Sequence, residues 1–295
     1  MLPNFLITGA QKAATTWLAR ALEQHPDVFV APEKEVGYFD LHYDRGIAWY
    51  ESRFAERRQE SAVGEATPTY LHVPEVDKRI EDSLGKDVKF IVSLRHPVDR
   101  AHSAFWHFLS RGKYASDADF RTVFESDEPF HLRTNGLYGA QLRRFFERFP
   151  REHVLVLLFE ELKEDNQAAL RRCMDFLGVD GSFEPNLVGE RRNQGIGVKP
   201  LGGTVQFMDR NARQRVRVLP PLLRKPAMRV GKACRAAIQR VLPTRRDHEK
   251  LDPEIRTDLL QYYLQDIRQL EDLLDRDLSV WLHGSDRALA PAAEK

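Results

Sequence analysis

The chain predicts an α/β fold with a central parallel sheet covered by helices on both faces. Three observations lead there. Short apolar runs of strand length alternate with stretches whose apolar residues recur at three- and four-residue steps. The strongest runs, at residues 4–8, 88–94 and 153–159, lack the polar alternation of a sheet face open to water. A chain of 295 residues, 42% hydrophobic and 30% charged, is long enough to bury such a sheet under two layers of helices.

In chain order, residues 4–8 form the first strand and 15–24 the first helix, which stops at His25-Pro26 because proline cannot continue it. Val28-Phe29-Val30 is a short strand. Residues 88–94 form a second strong strand, and Pro97 then suits the first turn of a helix from Val98 to Leu109. Leu137, Leu142, Phe145 and Phe146 mark a helix over 137–148. A third strong strand runs from His153 to Phe159, and a helix from Asn166 to Leu177. Residues 253–274 carry a further stripe through Leu259, Tyr263, Ile267, Leu270 and Leu274. The whole chain reads as a single domain, with an insertion at 198–246 and a helical segment at 250–282.

The net charge of +1 gives no bulk attraction for a polyanion, and no nucleic-acid partner is expected. Charge is concentrated locally: residues 198–246 carry a net +12 and residues 247–295 a net −6. The basic segment also holds an apolar stripe through Leu223, Ala227, Val230, Cys234, Ala237 and Val241. It reads as an amphipathic helix, either packed on the core or turned to an anionic membrane or polysaccharide. Two distant cysteines offer neither a disulfide framework nor a zinc spacing. With no long apolar run, the expectation is a cytoplasmic protein, peripheral to a membrane at most.

The first strand breaks at Gly9 and leads through Gln11, Lys12, Ala13 and Ala14 to Thr15 and Thr16 at a helix start. Backbone N–H groups at a helix N-terminus favour an anion, and Lys12 and the threonine hydroxyls add a cation and donors. The common NTP loop G-x-x-x-x-G-K-[ST] places a second glycine before its lysine. Here the lysine is the third residue after Gly9 and no second glycine precedes it. Taken alone, the segment suits a phosphate site or an ordinary strand-to-helix turn.

Arg95 closes the second strong strand, where a metal-dependent NTPase would carry an acid, and Ser103 follows inside the next helix. A guanidinium and a hydroxyl so spaced can meet one phosphate from two sides. Two phosphate subsites at two strand ends fit a nucleotide phosphorylated at two places.

With these motifs in order, the chain resembles the sulfotransferases that use 3′-phosphoadenosine 5′-phosphosulfate (PAPS). Gly9 to Thr16 is similar to their 5′-phosphosulfate loop, and Leu94 to Ser103 to their 3′-phosphate element. His25-Pro26-Asp27-Val28, Lys34 to Asp40 and Tyr43 to Tyr50 resemble the Golgi heparan sulfate branch. Leu158 to Asp165 resembles the segment that places an aromatic on the adenine, and Asp277 to Leu282 the end of bacterial members.

The resemblance implies a P-loop-kinase-like architecture and transfer of sulfonate from PAPS, without a metal, to a hydroxyl or amine of a carbohydrate or small metabolite. It implies that Gln11, Lys12, Ala13, Ala14, Thr15, Thr16 and Trp17 hold the 5′ end, with Lys12 beside the leaving oxygen. Arg95 and Ser103 would hold the 3′-phosphate and Phe159 the adenine. Arg245 and Arg246 lie where some relatives place a late 3′-phosphate contact. Glu35 matches the catalytic glutamate of the family's E-[IV]-x-[FY]-F pattern. Three positions depart from the pattern: Ala66 stands for a lysine, Pro68 for the histidine region of small-molecule enzymes, and Gly37 for a polar residue. The rivals are a metal-dependent small-molecule kinase and a non-catalytic nucleotide- or glycan-binding module.

Overall fold

A computed structural model of the chain describes residues 1–33, 35–115, 117–186 and 250–282. The basic segment 198–246, with Arg245 and Arg246, lies outside the described residues. Two compact units divide what is described. The first holds residues 1–100, 135–186 and 256–282, and the second holds 101–134 and 250–255.

The first unit is built on a five-stranded parallel sheet in the order β2-β3-β1-β4-β5, with strands β1 (Phe5–Gly9), β2 (Val28–Val30), β3 (Ala62–Ala66), β4 (Lys89–Leu94) and β5 (Val154–Leu158). The predicted α/β class is the observed one. Phe5, Leu6, Ile7, Phe90, Ile91 and Val92 are buried, as both faces of a helix-covered sheet require. On one face, α1 (Thr15–Leu22) and α9 (Asn166–Leu177) bring Leu18, Leu22, Leu170 and Met174 against Phe5 and Ile7. Toward α7 (Tyr138–Arg148), Phe90 meets Phe145 edge-on at 5.2 Å and Phe149 at 4.6 Å. The N-terminal amides of α7 are capped from α11 (Leu264–Leu274). There the buried carboxylate of Asp266 accepts from Gly139 N–H at 2.9 Å and Ala140 N–H at 3.1 Å.

Strand β3 is not foreshadowed by any apolar run. Its centre is Gly64, where a Cβ would stand 2.5 Å from the ring of Phe5. A large neighbour fills the space that a side chain would take, so the strand carries little hydrophobic signal of its own. Shorter helices likewise leave no signal in the sequence: α2 (Tyr38–Leu41), α3 (Ile47–Glu51), α4 (Val76–Leu84), α6 (Phe120–Ser126) and α8 (Phe159–Glu164), whereas α12 (Ser279–Leu282) falls within the helical segment expected at 250–282.

Two boundaries are corrected. Phe159 does not close β5; it opens α8, because the Glu161 carboxylate takes the N–H of Leu158 at 3.0 Å and turns the chain into a helix there. The helix expected over 253–274 is α10 (Pro253–Leu260) and α11, separated by a 3₁₀ turn at Gln261–Tyr263. The buried Tyr263 of that turn packs so closely on Gly136 that a Cβ there would meet it at 2.8 Å.

The second unit contains most of α5 (Pro97–Ser110) and all of α6. Its aromatic side chains stack on one another: Phe108 on Phe130 at 4.2 Å and Phe105 on Tyr114 at 5.7 Å. Asp119 caps α6 by accepting from Thr122 N–H at 2.8 Å.

Candidate active site

In a parallel sheet every strand delivers its carboxyl end to the same edge. The segments that carry Lys12, Glu35, Arg95 and Phe159 follow β1, β2, β4 and β5, so all leave that edge. From β1 the chain crosses to β2 on one side, and it later enters β4 on the other. The crevice outside β1 and β4 is therefore the switch point at which open α/β sheets bind ligands.

The loop after β1 is tightly held. Gly9 permits close packing: a Cβ there would meet Leu71 Cβ at 2.8 Å and the carbonyl of Pro68 at 3.1 Å. Ala10 N–H donates to Ser93 O at 2.6 Å, and the Ser93 hydroxyl donates to Ala13 O at 2.6 Å, tying the loop to β4. Lys12 and Ala14 adopt left-handed backbone, at φ 73° and 68°. Residues other than glycine rarely sit there unless their surroundings impose it. Ala14 is the N-cap of α1 and has no side-chain acceptor, so α1 opens without a side-chain cap. The first-turn amides at Thr15 and Thr16 have no partner within the helix and point out of its N-terminus. Free amides at a helix start beside a lysine are groups that could hold an anion.

Arg95 stands beside this loop. Its Nη1 donates to the carbonyl of Lys12 at 3.3 Å, and its guanidinium lies over the ring of Phe159 at 4.7 Å. The Tyr138 hydroxyl donates to Arg95 O at 2.9 Å and fixes the backbone where β4 ends. Burial draws the Arg95 guanidinium down from its ordinary value, against the opposing pull of Asp99 and Glu160. Phe159 is half-buried, so it is not the core residue that a strand-closing phenylalanine would be. The structure thus brings Lys12, Arg95 and Phe159 together. Ser103 is half-buried on α5 and belongs to the second unit.

Glu35 is exposed on the loop after β2, with left-handed backbone at φ 61°. Behind that loop lies a carboxylate that the sequence reading passed over. Glu65, on β3, is wholly buried. It accepts hydrogen bonds from the hydroxyls of Tyr50 at 3.0 Å, Tyr70 at 2.7 Å and Thr67 at 2.5 Å. Burial pushes its carboxyl up to about 7, and the three hydroxyl donors offset only part of that. A lone acid inside Ala62-Val63-Gly64-Glu65-Ala66, followed by Thr67 and Tyr70, is the signal that could have marked it. Among the described residues, no group of three His, Cys, Asp or Glu is placed to hold a metal ion.

Residues 2–189 match the sulfotransferase domain family, and the chain belongs to it. Among curated proteins it is similar to human heparan sulfate glucosamine 3-O-sulfotransferase 3B1, with 33% identity over 183 residues, 60% of this chain and 46% of that protein. It is also similar to the membrane-associated sulfotransferase kil1 of Dictyostelium discoideum, with 38% identity over 110 residues, 36% of this chain and 23% of that protein. The chain thus spans less than half the length of these curated relatives. Among solved structures, a sulfotransferase from Alicyclobacillus acidocaldarius superposes with a TM-score of 0.71 at 28% identity, covering 96% of this chain and all of that one.

These relatives overturn the cytoplasmic expectation. One group is the heparan sulfate branch, which the sequence resemblance already ties to the Golgi, and another relative is named membrane-associated. No described helix is long and apolar enough to cross a membrane.

Proposed function

We propose that this chain transfers the sulfonate of PAPS to a hydroxyl or amine of a carbohydrate acceptor of the heparan sulfate class. The observation that carries this reading is the juxtaposition of the Lys12 loop, Arg95 and Phe159 at the switch point of the sheet. A left-handed, uncapped helix start suits a terminal phosphosulfate, a guanidinium suits a second phosphate, and a half-buried ring suits a base. The 3-O-sulfotransferase and kil1 relatives support the reaction class, and the former supports the acceptor class.

Each residue then has a defined task. Gln11 to Trp17 bind the 5′ end through the loop amides and the threonine hydroxyls. Arg95, with Ser103, binds the 3′-phosphate, and Phe159 packs on the adenine. Glu35 takes the proton of the acceptor hydroxyl as its oxygen bonds to sulfur. The bond between sulfur and the 5′-phosphate oxygen breaks, and 3′,5′-adenosine bisphosphate leaves. Lys12 stabilises the charge that develops on that leaving oxygen. Holding donor and acceptor in line supplies much of the remaining acceleration.

Calorimetry with 3′,5′-adenosine bisphosphate, AMP and ATP tests the donor. Binding of the bisphosphate at least about tenfold tighter than AMP is expected from one added charge-assisted contact. Equal affinity for the two removes the 3′-phosphate role of Arg95 and Ser103. Transfer of labelled sulfonate from PAPS to heparan sulfate tests the acceptor, and absence of transfer overturns that assignment.

A further inference from the structure

Glu35 occupies a backbone conformation that it would not choose unaided. Its φ of 61° is left-handed, and Gly37 two residues on has φ 65°. Such a conformation in a residue with a Cβ persists where the surroundings over-determine it. The surroundings here run back to Glu65. The Thr67 hydroxyl donates to Glu65 Oε2 at 2.5 Å and accepts from Gly37 N–H at 3.1 Å. The Tyr70 hydroxyl donates to Glu65 Oε1 at 2.7 Å and accepts from Phe39 N–H at 3.3 Å. The carboxylate takes the hydroxyl protons and so turns the hydroxyl lone pairs toward the two backbone amides.

A third tie runs between the same segments, from the Thr69 hydroxyl to Asp40 Oδ2 at 2.5 Å. Aromatic packing closes the arrangement: Tyr38 stacks on Tyr50 at 4.4 Å, and Phe39 meets Tyr50 and Tyr70 edge-on at 5.1 and 5.4 Å.

We propose that Glu65 is a positioning residue for the reaction: acting through Thr67 and Tyr70, it anchors the amides of Gly37 and Phe39 and thereby sets where Glu35 meets the acceptor. This rests on Glu35 being the base. Glu65 itself touches no reactant, since it is fully buried behind the loop. The inference gives the wholly buried acid of β3 a task that packing alone does not explain. Were packing the sole demand, apolar side chains in place of Glu65 and its hydroxyl donors together would fill the same space at little cost.

The test compares Thr67→Val, Thr67→Ser, Glu65→Gln and Glu35→Gln in the full chain. Four quantities are read: amide hydrogen exchange at Gly37, affinity for 3′,5′-adenosine bisphosphate, and kcat and KM for transfer from PAPS to heparan sulfate. Thr67→Val removes the hydroxyl at nearly constant volume. It is expected to speed Gly37 exchange about tenfold and to lower kcat about tenfold. Bisphosphate affinity should stay within about twofold, because the nucleotide loop lies on β1 and β4. Thr67→Ser restores the hydroxyl and should recover exchange and kcat together. Glu65→Gln, which swaps one acceptor oxygen for a donor, should lower kcat with the same sparing of nucleotide affinity.

Wild-type exchange and kcat in Thr67→Val, alongside an inactive Glu35→Gln, overturn the positioning role and leave the base reading standing. Loss of bisphosphate affinity in step with kcat also overturns it, by exposing general damage. A fully active Glu35→Gln overturns the base reading itself, and the inference falls with it.

Discussion

The guanidinium of Arg95 lies over the ring of Phe159, 4.7 Å from its centroid, while its Nη1 reaches the carbonyl of Lys12. One side chain thus links the ends of β4 and β5 to the loop that follows β1. Arg95→Ala should weaken 3′,5′-adenosine bisphosphate binding about 10- to 100-fold, the loss of a charge-assisted bond to phosphate. AMP, which lacks the 3′-phosphate, should lose less. Calorimetry on both ligands checks this. Arg95→Lys should recover only part of the affinity, since an ammonium lacks the planar fork that meets a phosphate with two parallel bonds.

Lys12 poses a different question, because its task lies in the transition state. Lys12→Ala should lower kcat by about 10²–10³-fold, in the range for removing one preorganised donor from a developing oxyanion. Bisphosphate affinity should change by less than about tenfold. Steady-state kinetics with PAPS varied, set beside calorimetry, separates the two. Equal losses in binding and in kcat/KM would place Lys12 in ground-state binding alone.

The buried Glu65 makes stability depend on pH in a defined direction. Its carboxyl is raised to about 7, from an ordinary 4.5, chiefly by burial, with the neighbouring charge of Asp40 adding to it. Between those values the folded state holds more protons than the unfolded state, so this group's contribution falls as pH rises. Glu65→Gln cannot ionise. Calorimetric Tm values of wild type and variant should therefore diverge in the variant's favour as pH is raised from about 5 to about 8. A Tm difference that is flat with pH would sink the assignment.

Gly64 tests the packing of the sheet. A Cβ there would stand 2.5 Å from the Phe5 ring, which is itself fully buried and cannot swing into solvent. Gly64→Ala should cost about 1–3 kcal/mol, the usual range for overpacking a core. Thermal melts should show the loss, and Phe5→Leu in the same chain should recover part of it by vacating the ring's space. An unchanged Tm in Gly64→Ala alone would contradict the close approach.

How much could be read without coordinates differs from element to element. Strands β1, β4 and β5 were legible because each is buried on both faces, and an unbroken apolar run is the only composition that tolerates it. The Gly9–Thr16 loop, Glu35 and Arg95 were legible because they sit at strand ends, where chain order and spacing carry the signal. Strand β3 was not legible, since the side chain that its Gly64 lacks is supplied by Phe5, 59 residues earlier. The place of Phe159 at a helix start, not at a strand end, also escaped, since its helix begins where Glu161 caps the preceding amide.

By itself the amino-acid order determined the fold class, the direction of the strands and the family's motifs at the carboxyl edge. Those follow from patterns within a few residues of one another, in which burial and helix geometry speak locally. The tertiary structure alone decided that Arg95 rests on Phe159 and that Glu65 is held by Tyr50, Thr67 and Tyr70. A buried charge is tolerated only where donors converge on it. That convergence comes from segments that the packing brings together, which no local pattern records.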